Sequence, residues 1–271
     1  HTPEKVSVEG SKTWDDAENQ DGKRPASIII NLLANGTEVQ EAIVTAENGW
    51  QWSFTNLNRY ADGQEIEYTV TEDTVTDYTA EVDVYNVTNT HTPEKVKVEG
   101  KKTWNDGDNQ DGKRPETITI RLLADGVEVD SKTVTAADGW AWSFTGLNKY
   151  AAGKEIVYTV SEEPVEGYTA AVDKYSITNS YTPGKTSVNG AKTWKDENDQ
   201  DGYRPDSITV VLYADGELKD SKEVTAEGGW TYSFTDLDEY KDGKKIVYTV
   251  KEVQDYENAD KYTSEVVGND I

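Results

Sequence analysis

Three residue types recur at fixed places in this chain and together could do covalent chemistry: a lysine, a glutamate and an asparagine. Lys12, Lys102 and Lys192 lie 90 residues apart, as do Glu72, Glu162 and Glu252, and so do Asn89 and Asn179. Alternate residues of a strand share a face, and that parity sets each of these polar residues on an apolar stripe. Lys12 falls in line with Val6, Val8, Gly10 and Trp14, and Glu72 with Ile66, Tyr68 and Val70. Asn89 follows Tyr85 and Val87 in the same way. The second copy repeats the pattern with Ile156, Tyr158, Val160 and Glu162, and with Tyr175, Ile177 and Asn179. The third continues it with Ile246, Tyr248, Val250 and Glu252.

An unpaired ammonium on a core face is costly, so these positions need a reason. Burial favours the neutral form of both an amine and a carboxyl group. A neutral amine is a nucleophile, the asparagine side-chain carbonyl is an electrophile, and a protonated carboxyl can polarise that carbonyl and shuttle protons. The product of such a set is a Lys–Asn amide with one ammonia released. The alternative is that each residue sits at a strand end and snorkels its head into water. Three such residues, in register across repeats whose surfaces differ, weigh against that alternative.

The elements that must position them follow from an internal period of 90 residues, which divides the 271 residues into domains at 1–90, 91–180 and 181–271. Thr2-Pro3, Thr92-Pro93 and Thr182-Pro183 open the units after linkers of a few residues. The lysine strand comes next, then an acidic loop (15–22 in the first copy), Arg24-Pro25, and a half-buried strand with Ile28, Ile30 and Leu32 on one face. Asn35-Gly36, Asp125-Gly126 and Asp215-Gly216 read as hairpin turns. The aromatic strand Trp50, Trp52, Phe54 recurs as Trp140, Trp142, Phe144 and as Trp230, Tyr232, Phe234. A strand over 66–72 and a final strand running from Tyr78 to Asn89 complete the unit, with no amphipathic helix. Short strands and frequent turns in about ninety residues predict an all-β chain of three tandem two-sheet sandwiches.

Composition narrows the function. The net charge of −25 makes nucleic acid and anionic membranes poor partners. With no cysteine there is no disulfide, so a small extracellular domain would need another covalent staple. With no methionine, signal peptide or membrane segment, and with His1 opening in mid-motif, the chain reads as a piece of something longer. The acidic loop lacks the ligand spacing of a calcium loop and reads as solvated. The tryptophans share parity with Phe54 and Phe144, which favours core packing over a carbohydrate platform. His1 and His91 fall in linkers and form no triad or metal cluster. No cofactor, no metal and no turnover of an external substrate are expected.

The combination of Lys-Thr-Trp at 12–14, Asn-Gln-Asp-Gly-Lys-Arg-Pro at 19–25, Leu-Leu-Ala-Asn-Gly at 32–36, Glu-Tyr-Thr-Val-Thr-Glu at 67–72 and Val-Thr-Asn-Thr-His-Thr-Pro at 87–93 resembles the B-repeat, or Cna B-type, domains of Gram-positive cell-wall adhesins. It covers the chain three times. The resemblance implies sandwiches of reversed immunoglobulin-like (prealbumin-like) topology and spontaneous intramolecular isopeptide bonds. By position these would be Lys12–Asn89 assisted by Glu72, and Lys102–Asn179 assisted by Glu162.

The third copy departs from this pattern. Glu252 and Tyr262 are 10 residues apart, whereas Glu72 and Tyr78, and Glu162 and Tyr168, are 6 apart, so four residues are inserted within 253–260. Counted from that tyrosine, Ile271 aligns with Ile177 and the acceptor falls at position 273. Asn269 is a second, weaker candidate, 90 residues after Asn179. Lys192 and Glu252 are therefore expected to lack a partner, with Glu252 idle. The reading is a monomeric, extracellular stalk on a cell-wall-anchored bacterial surface protein, not an enzyme. Its partners would be the neighbouring repeats and a separate adhesive region. The rival reading is that the repeats themselves bind a host matrix protein or glycan.

Overall fold

The alternating valines ahead of Lys12 form one eleven-residue strand, β1 (Lys5–Asp15), with Val8 buried and its neighbours outside. The structure, a computed structural model, describes residues 2–271. In the first repeat β1 is followed by β2 (Ser27–Ala34), β3 (Thr37–Thr45), β4 (Gln51–Asn58), β5 (Tyr60–Ala61), β6 (Gln64–Glu65), β7 (Tyr68–Glu72), β8 (Thr79–Asp83) and β9 (Asn86–Thr90). One sheet runs β4-β1-β9-β8 and the other β3-β2-β7, with β5 and β6 as a small separate hairpin. Their inner faces meet in one core. Val8, Trp52, Phe54 and Val87 come from the first sheet, and Ile28, Ile30, Leu32, Val44 and Val70 from the second. The chain is a β-sandwich, as the strand pattern predicts.

The first strand changes partner midway. Residues 5–11 pair antiparallel with β4, with Val8 opposite Phe54 and Gly10 opposite Trp52. Residues 12–15 pair parallel with β9, with Lys12 opposite Val87 and Trp14 opposite Asn89. A parallel pair needs a long crossover, and here almost the whole repeat supplies it. The two ends of the repeat thus lie side by side in one sheet.

Two expectations are corrected. The segment 78–89 is not one strand: it turns at Val84, whose φ is 55°, and forms the antiparallel pair β8–β9. The strand expected from Ile66 begins only at Tyr68, because the Ile66 amide donates to the Arg59 carbonyl in the loop after β4.

The chain divides into two compact units, residues 1–99, 121–131 and 142–160 in one and residues 100–120, 132–141 and 161–271 in the other, so the boundary runs through the second repeat. The second repeat has the same nine strands in the same order as the first, with one added 3-10 turn, Ala136–Asp138. Within the second unit, residues 102–105 pair parallel with residues 177–180, placing Lys102 opposite Ile177 and Trp104 opposite Asn179. The third repeat keeps the core, from Val188 to Ile271, but its first strand, Lys185–Ala191, ends just before Lys192. After Tyr248–Val253, the only β contact among the described residues is the bridge between Val267 and Asp270.

Gly10 has a steric role at the point where β1 changes partner. A Cβ there would meet the Tyr85 carbonyl oxygen and the Trp52 ring, and a Cβ at Gly190 would meet the Asn269 carbonyl and the Tyr232 ring in the same way. Neither neighbour is a flexible chain end, so the backbone itself must move. We expect Gly10→Ala to lower stability by about 1–3 kcal/mol in urea unfolding, against a change within about 0.5 kcal/mol for a surface substitution such as Glu41→Ala.

Candidate functional site

β1 carries Lys12 inward from one sheet and β7 carries Glu72 inward from the other, where Glu72 stands opposite Ile30 at the end of its ladder. The two side chains meet across the sandwich, with Lys12 Nζ 2.6 Å from Glu72 Oε1 and both side chains closed to solvent. The second repeat repeats the contact between Lys102 and Glu162 at 2.5 Å, and the third between Lys192 and Glu252 at 2.9 Å. The lysine backbone is anchored by the carbonyl of the tryptophan before the aromatic strand, Trp50, Trp140 or Trp230.

The asparagines complete the set in two of the three copies. Asn89 and Asn179 have no solvent exposure at all, and each lies in the parallel strand beside the lysine strand, two positions along from the residue facing the lysine. Neither the side-chain oxygen nor the nitrogen of either asparagine has a hydrogen-bond partner, and Glu72 Oε2 and Glu162 Oε2 are likewise unpartnered. A buried amide left without partners normally costs about 1–3 kcal/mol. Two in corresponding places, beside unpartnered carboxylate oxygens, mark a site organised for something other than a resting hydrogen-bond network. Burial pushes the Lys12 and Lys102 amines below their ordinary pKa, with the Glu72 and Glu162 carboxylates acting in the opposite sense.

A lid of aromatic residues closes the site. Lys12 Nζ lies 4.7 Å from the centre of the Trp14 ring, which packs edge-on against Trp50 at 5.2 Å and Tyr78 at 5.0 Å. The Arg24 guanidinium covers the same ring at 5.3 Å. Asp16 ties the lid together: its carboxylate accepts from Arg24 Nε and Nη2 at 3.0 and 2.6 Å, from the Tyr78 hydroxyl at 2.8 Å and from the Asn19 amide at 2.9 Å. Burial by itself would raise the Asp16 pKa, but these donors outweigh it and hold the carboxyl below its ordinary value. The acidic loop is solvated only in part, which corrects the expectation from sequence: Asp15, Ala17 and Glu18 are exposed, but Asp16 and Asp21 are buried and hold other groups in place. The sequence signal was the fixed run from Asp16 through Asn19 to Arg24-Pro25, repeated at Asp106, Asn109 and Arg114 and, with Asp199 in place of the asparagine, at Asp196 and Arg204.

In the third repeat Ile271 occupies the place of Val87. The Ile271 amide donates to the Ala191 carbonyl, and the Thr193 amide to the Ile271 carbonyl. Asp270 accepts from the Ala191 amide as Asn86 accepts from that of Ser11. Asn269 therefore stands where Tyr85 stands, with its carbonyl taking the Tyr232 hydroxyl, and not in the register of Asn89. Tyr256, in the inserted segment, donates its hydroxyl to Glu252 Oε1 at 3.2 Å. His1 lies outside the described residues, and His91 faces the Asp21 carboxylate. Among the described residues, no group of three or more histidine, aspartate or glutamate side chains is arranged to hold a metal. No helix among them is long and apolar enough to cross a membrane.

Comparison with known proteins places these features in a family. The model of the Cna protein B-type domain matches at residues 8–90, 98–180 and 188–271. A collagen adhesin of Staphylococcus aureus is 42% identical over 278 residues, covering 100% of this chain, while the chain spans 23% of that relative's length. A crystal structure of two B repeat units of the collagen binding protein of S. aureus superposes with a TM-score of 0.59 at 42% identity, covering 98% of this chain and 72% of that one. A single B repeat unit from the same protein is 43% identical over 66% of this chain and all of its own, with a TM-score of 0.33.

The lowered lysine pKa has a measurable sign. In an Asn89→Ala variant Lys12 stays an amine, with a lowered pKa in the folded protein and its ordinary value in the unfolded chain. Between those two values the unfolded chain binds more protons, so stability rises with pH. Urea unfolding of Asn89→Ala, less that of Asn89→Ala/Lys12→Met, should show this rise as pH climbs toward the ordinary lysine value of about 10.4. A flat or falling difference would mean that the pair keeps Lys12 fully charged.

Proposed function

The chain belongs to the Cna protein B-type domain family three times over, and from that membership we propose that it is the stalk of a bacterial surface adhesin, stabilised by intramolecular Lys–Asn isopeptide bonds in its first two repeats. The repeats would fold as domains over 1–90, 91–180 and 181–271. The observation that carries the reading is the pair of fully buried, unpartnered asparagine side chains beside buried Lys–Glu pairs. Placement of the parent protein outside the cell, on the wall of a Gram-positive bacterium, is supported by likeness to the staphylococcal adhesin.

In the proposed reaction Glu72 takes a proton from the Lys12 ammonium, and the freed amine attacks Cγ of Asn89. The carboxyl polarises the amide oxygen and passes that proton to Nδ2, the attacking nitrogen gives its second proton to the Glu72 carboxylate, and the Cγ–Nδ2 bond breaks with loss of ammonia. One N–C bond forms and one breaks, so no oxidant, cofactor or outside reactant is consumed, and each domain reacts once. The aromatic lid excludes water, which keeps the amine neutral and the new amide safe from hydrolysis. Lys102, Glu162 and Asn179 do the same in the second repeat. In the third, Lys192 and Glu252 form their pair, and Asn269 lies out of the register of Asn89 and Asn179.

Each bond joins positions 77 residues apart. If it restrains the unfolded chain as a disulfide does, it adds about 4–5 kcal/mol, a large share of a small domain's stability. Its place matters more. It ties the first strand of a repeat to the last, the two strands through which its neighbours pull, so tension crosses the repeat through covalent bonds.

Intact mass spectrometry of the folded chain should show a deficit of two ammonia molecules, about 34 Da. Glu72→Ala or Glu162→Ala should each leave a deficit of one. A full-mass wild type would end the covalent reading, and a deficit of three would give Lys192 an acceptor. Under force, the wild type should extend by unfolding of the third repeat alone. Asn89→Ala should add the release of the first repeat as a second extension event in single-molecule pulling.

A further inference from the structure

The joint after each of the first two repeats is closed by the same aspartate of the acidic loop, and the side chain that faces this aspartate differs between the two joints. At the first joint, within the first compact unit, Asp21 Oδ2 accepts from the Glu94 backbone amide at 2.7 Å and faces His91 Nε2 at 3.0 Å. At the second, within the second unit, Asp111 Oδ2 accepts from the Gly184 amide at 2.8 Å and from the Tyr181 hydroxyl at 2.8 Å. Both joints also bring glycines together. The Gly153 amide donates to the Gln20 carbonyl and the Gly243 amide to the Gln110 carbonyl, and a Cβ at Gly22 or Gly112 would strike the backbone of the opposing glycine. The scaffold is shared, and histidine in one place is tyrosine in the other.

That exchange changes the chemistry. Both ring nitrogens of His91 face oxygen acceptors: Nε2 the Asp21 carboxylate, and Nδ1 the Asp77 carbonyl at 2.8 Å. An imidazolium donates to both, whereas a neutral ring donates to one and turns a lone pair toward the other. The ring is largely buried and packs against Tyr78, with centroids 5.4 Å apart. The carboxylates that act on it are those of Asp21 and Asp77, the latter paired with Lys23 at 3.1 Å, and both favour a positive ring. Tyr181 donates its one proton to Asp111 and stays neutral over the same range.

We propose that His91 makes the first joint of this chain responsive to pH, closing more firmly as the medium turns acidic, while the second joint, with Tyr181, is indifferent. The hydrogen bond to Asp21 raises the pKa of His91, with the Asp77 carbonyl and both negative charges adding to it and burial opposing. Its value in the closed joint lies above the ordinary value, the one it has when the joint is open. The extra stability of the closed joint is then fully present below about pH 6.5 and is lost as pH rises through the raised value. The stalk would have one joint of fixed stiffness and one that loosens toward alkaline pH, whether or not the isopeptide bonds form.

Amide hydrogen exchange of the whole chain, corrected for the intrinsic rate, tests this directly. The Glu94 and Gly153 amides donate across the first joint and the Gly184 and Gly243 amides across the second. From about pH 5.5 to about pH 8, protection at Glu94 and Gly153 should fall about threefold or more, with no matching change at Gly184 and Gly243. His91→Tyr, which puts the second joint's residue at this one position, should remove the pH dependence while keeping the protection. Ring NMR of the wild type should show a titration above the ordinary histidine value that His91→Tyr abolishes. A His91 that titrates at or below that value overturns the proposal. So does equal pH dependence at both joints, or pH dependence that survives in His91→Tyr.

Discussion

An ammonium and a carboxylate brought together inside a sandwich only two sheets thick constrain everything around them. Taking both charges out of water costs several kcal/mol each, and mutual attraction alone rarely recovers that. A small domain whose whole margin is of the same order can keep such a pair only if its surroundings over-determine the geometry. In this chain they do so from both sides. Lys12 is held by the strand that also pairs with β9, and Glu72 by the opposite sheet at the end of an apolar stripe. The tryptophan two residues after the lysine covers the amine.

The lid explains why so much of each repeat is spent on a loop. Asp16, Arg24 and Tyr78 hold the Trp14 ring over the lysine through a bidentate ion pair and a phenol hydrogen bond. The third repeat keeps this lid, with Tyr262 reaching Asp196 and packing on Trp194, despite its four-residue insertion. The lid and the Lys–Glu pair therefore persist without an asparagine in register. Closing the site and completing it are separate properties of the fold.

The same loop has a second use. Five residues beyond Asp16, Asp21 faces away from the lid and binds the start of the next repeat. One short acidic stretch thus serves both the interior of its own repeat and the joint to its neighbour. Half of its carboxylates, Asp16 and Asp21, are buried and paired, while Asp15 and Glu18 face solvent. A glycine at each contact point lets the two backbones approach more closely than any side chain would permit.

Much of this was legible in the residues themselves. The 90-residue period, the parity that turns Lys12, Glu72 and Asn89 inward, and the displaced register of the third copy are local or periodic properties, and strand geometry converts them directly into a face and a position. The count from Tyr262 to Ile271 was enough to set Asn269 out of line with Asn89. What the residues could not decide were contacts between segments far apart in sequence. Asp16 reads as one more acid in an acidic loop until Tyr78, 62 residues away, lies against it. Asp21 reads the same way until His91, 70 residues away, does so. Nor does parity show that 78–89 folds back on itself at Val84, because both halves alternate correctly on their own. Periodicity assigns a side chain to a face, while its partner across that face is chosen by the packing of two sheets and by the short linker that brings the next repeat up against them.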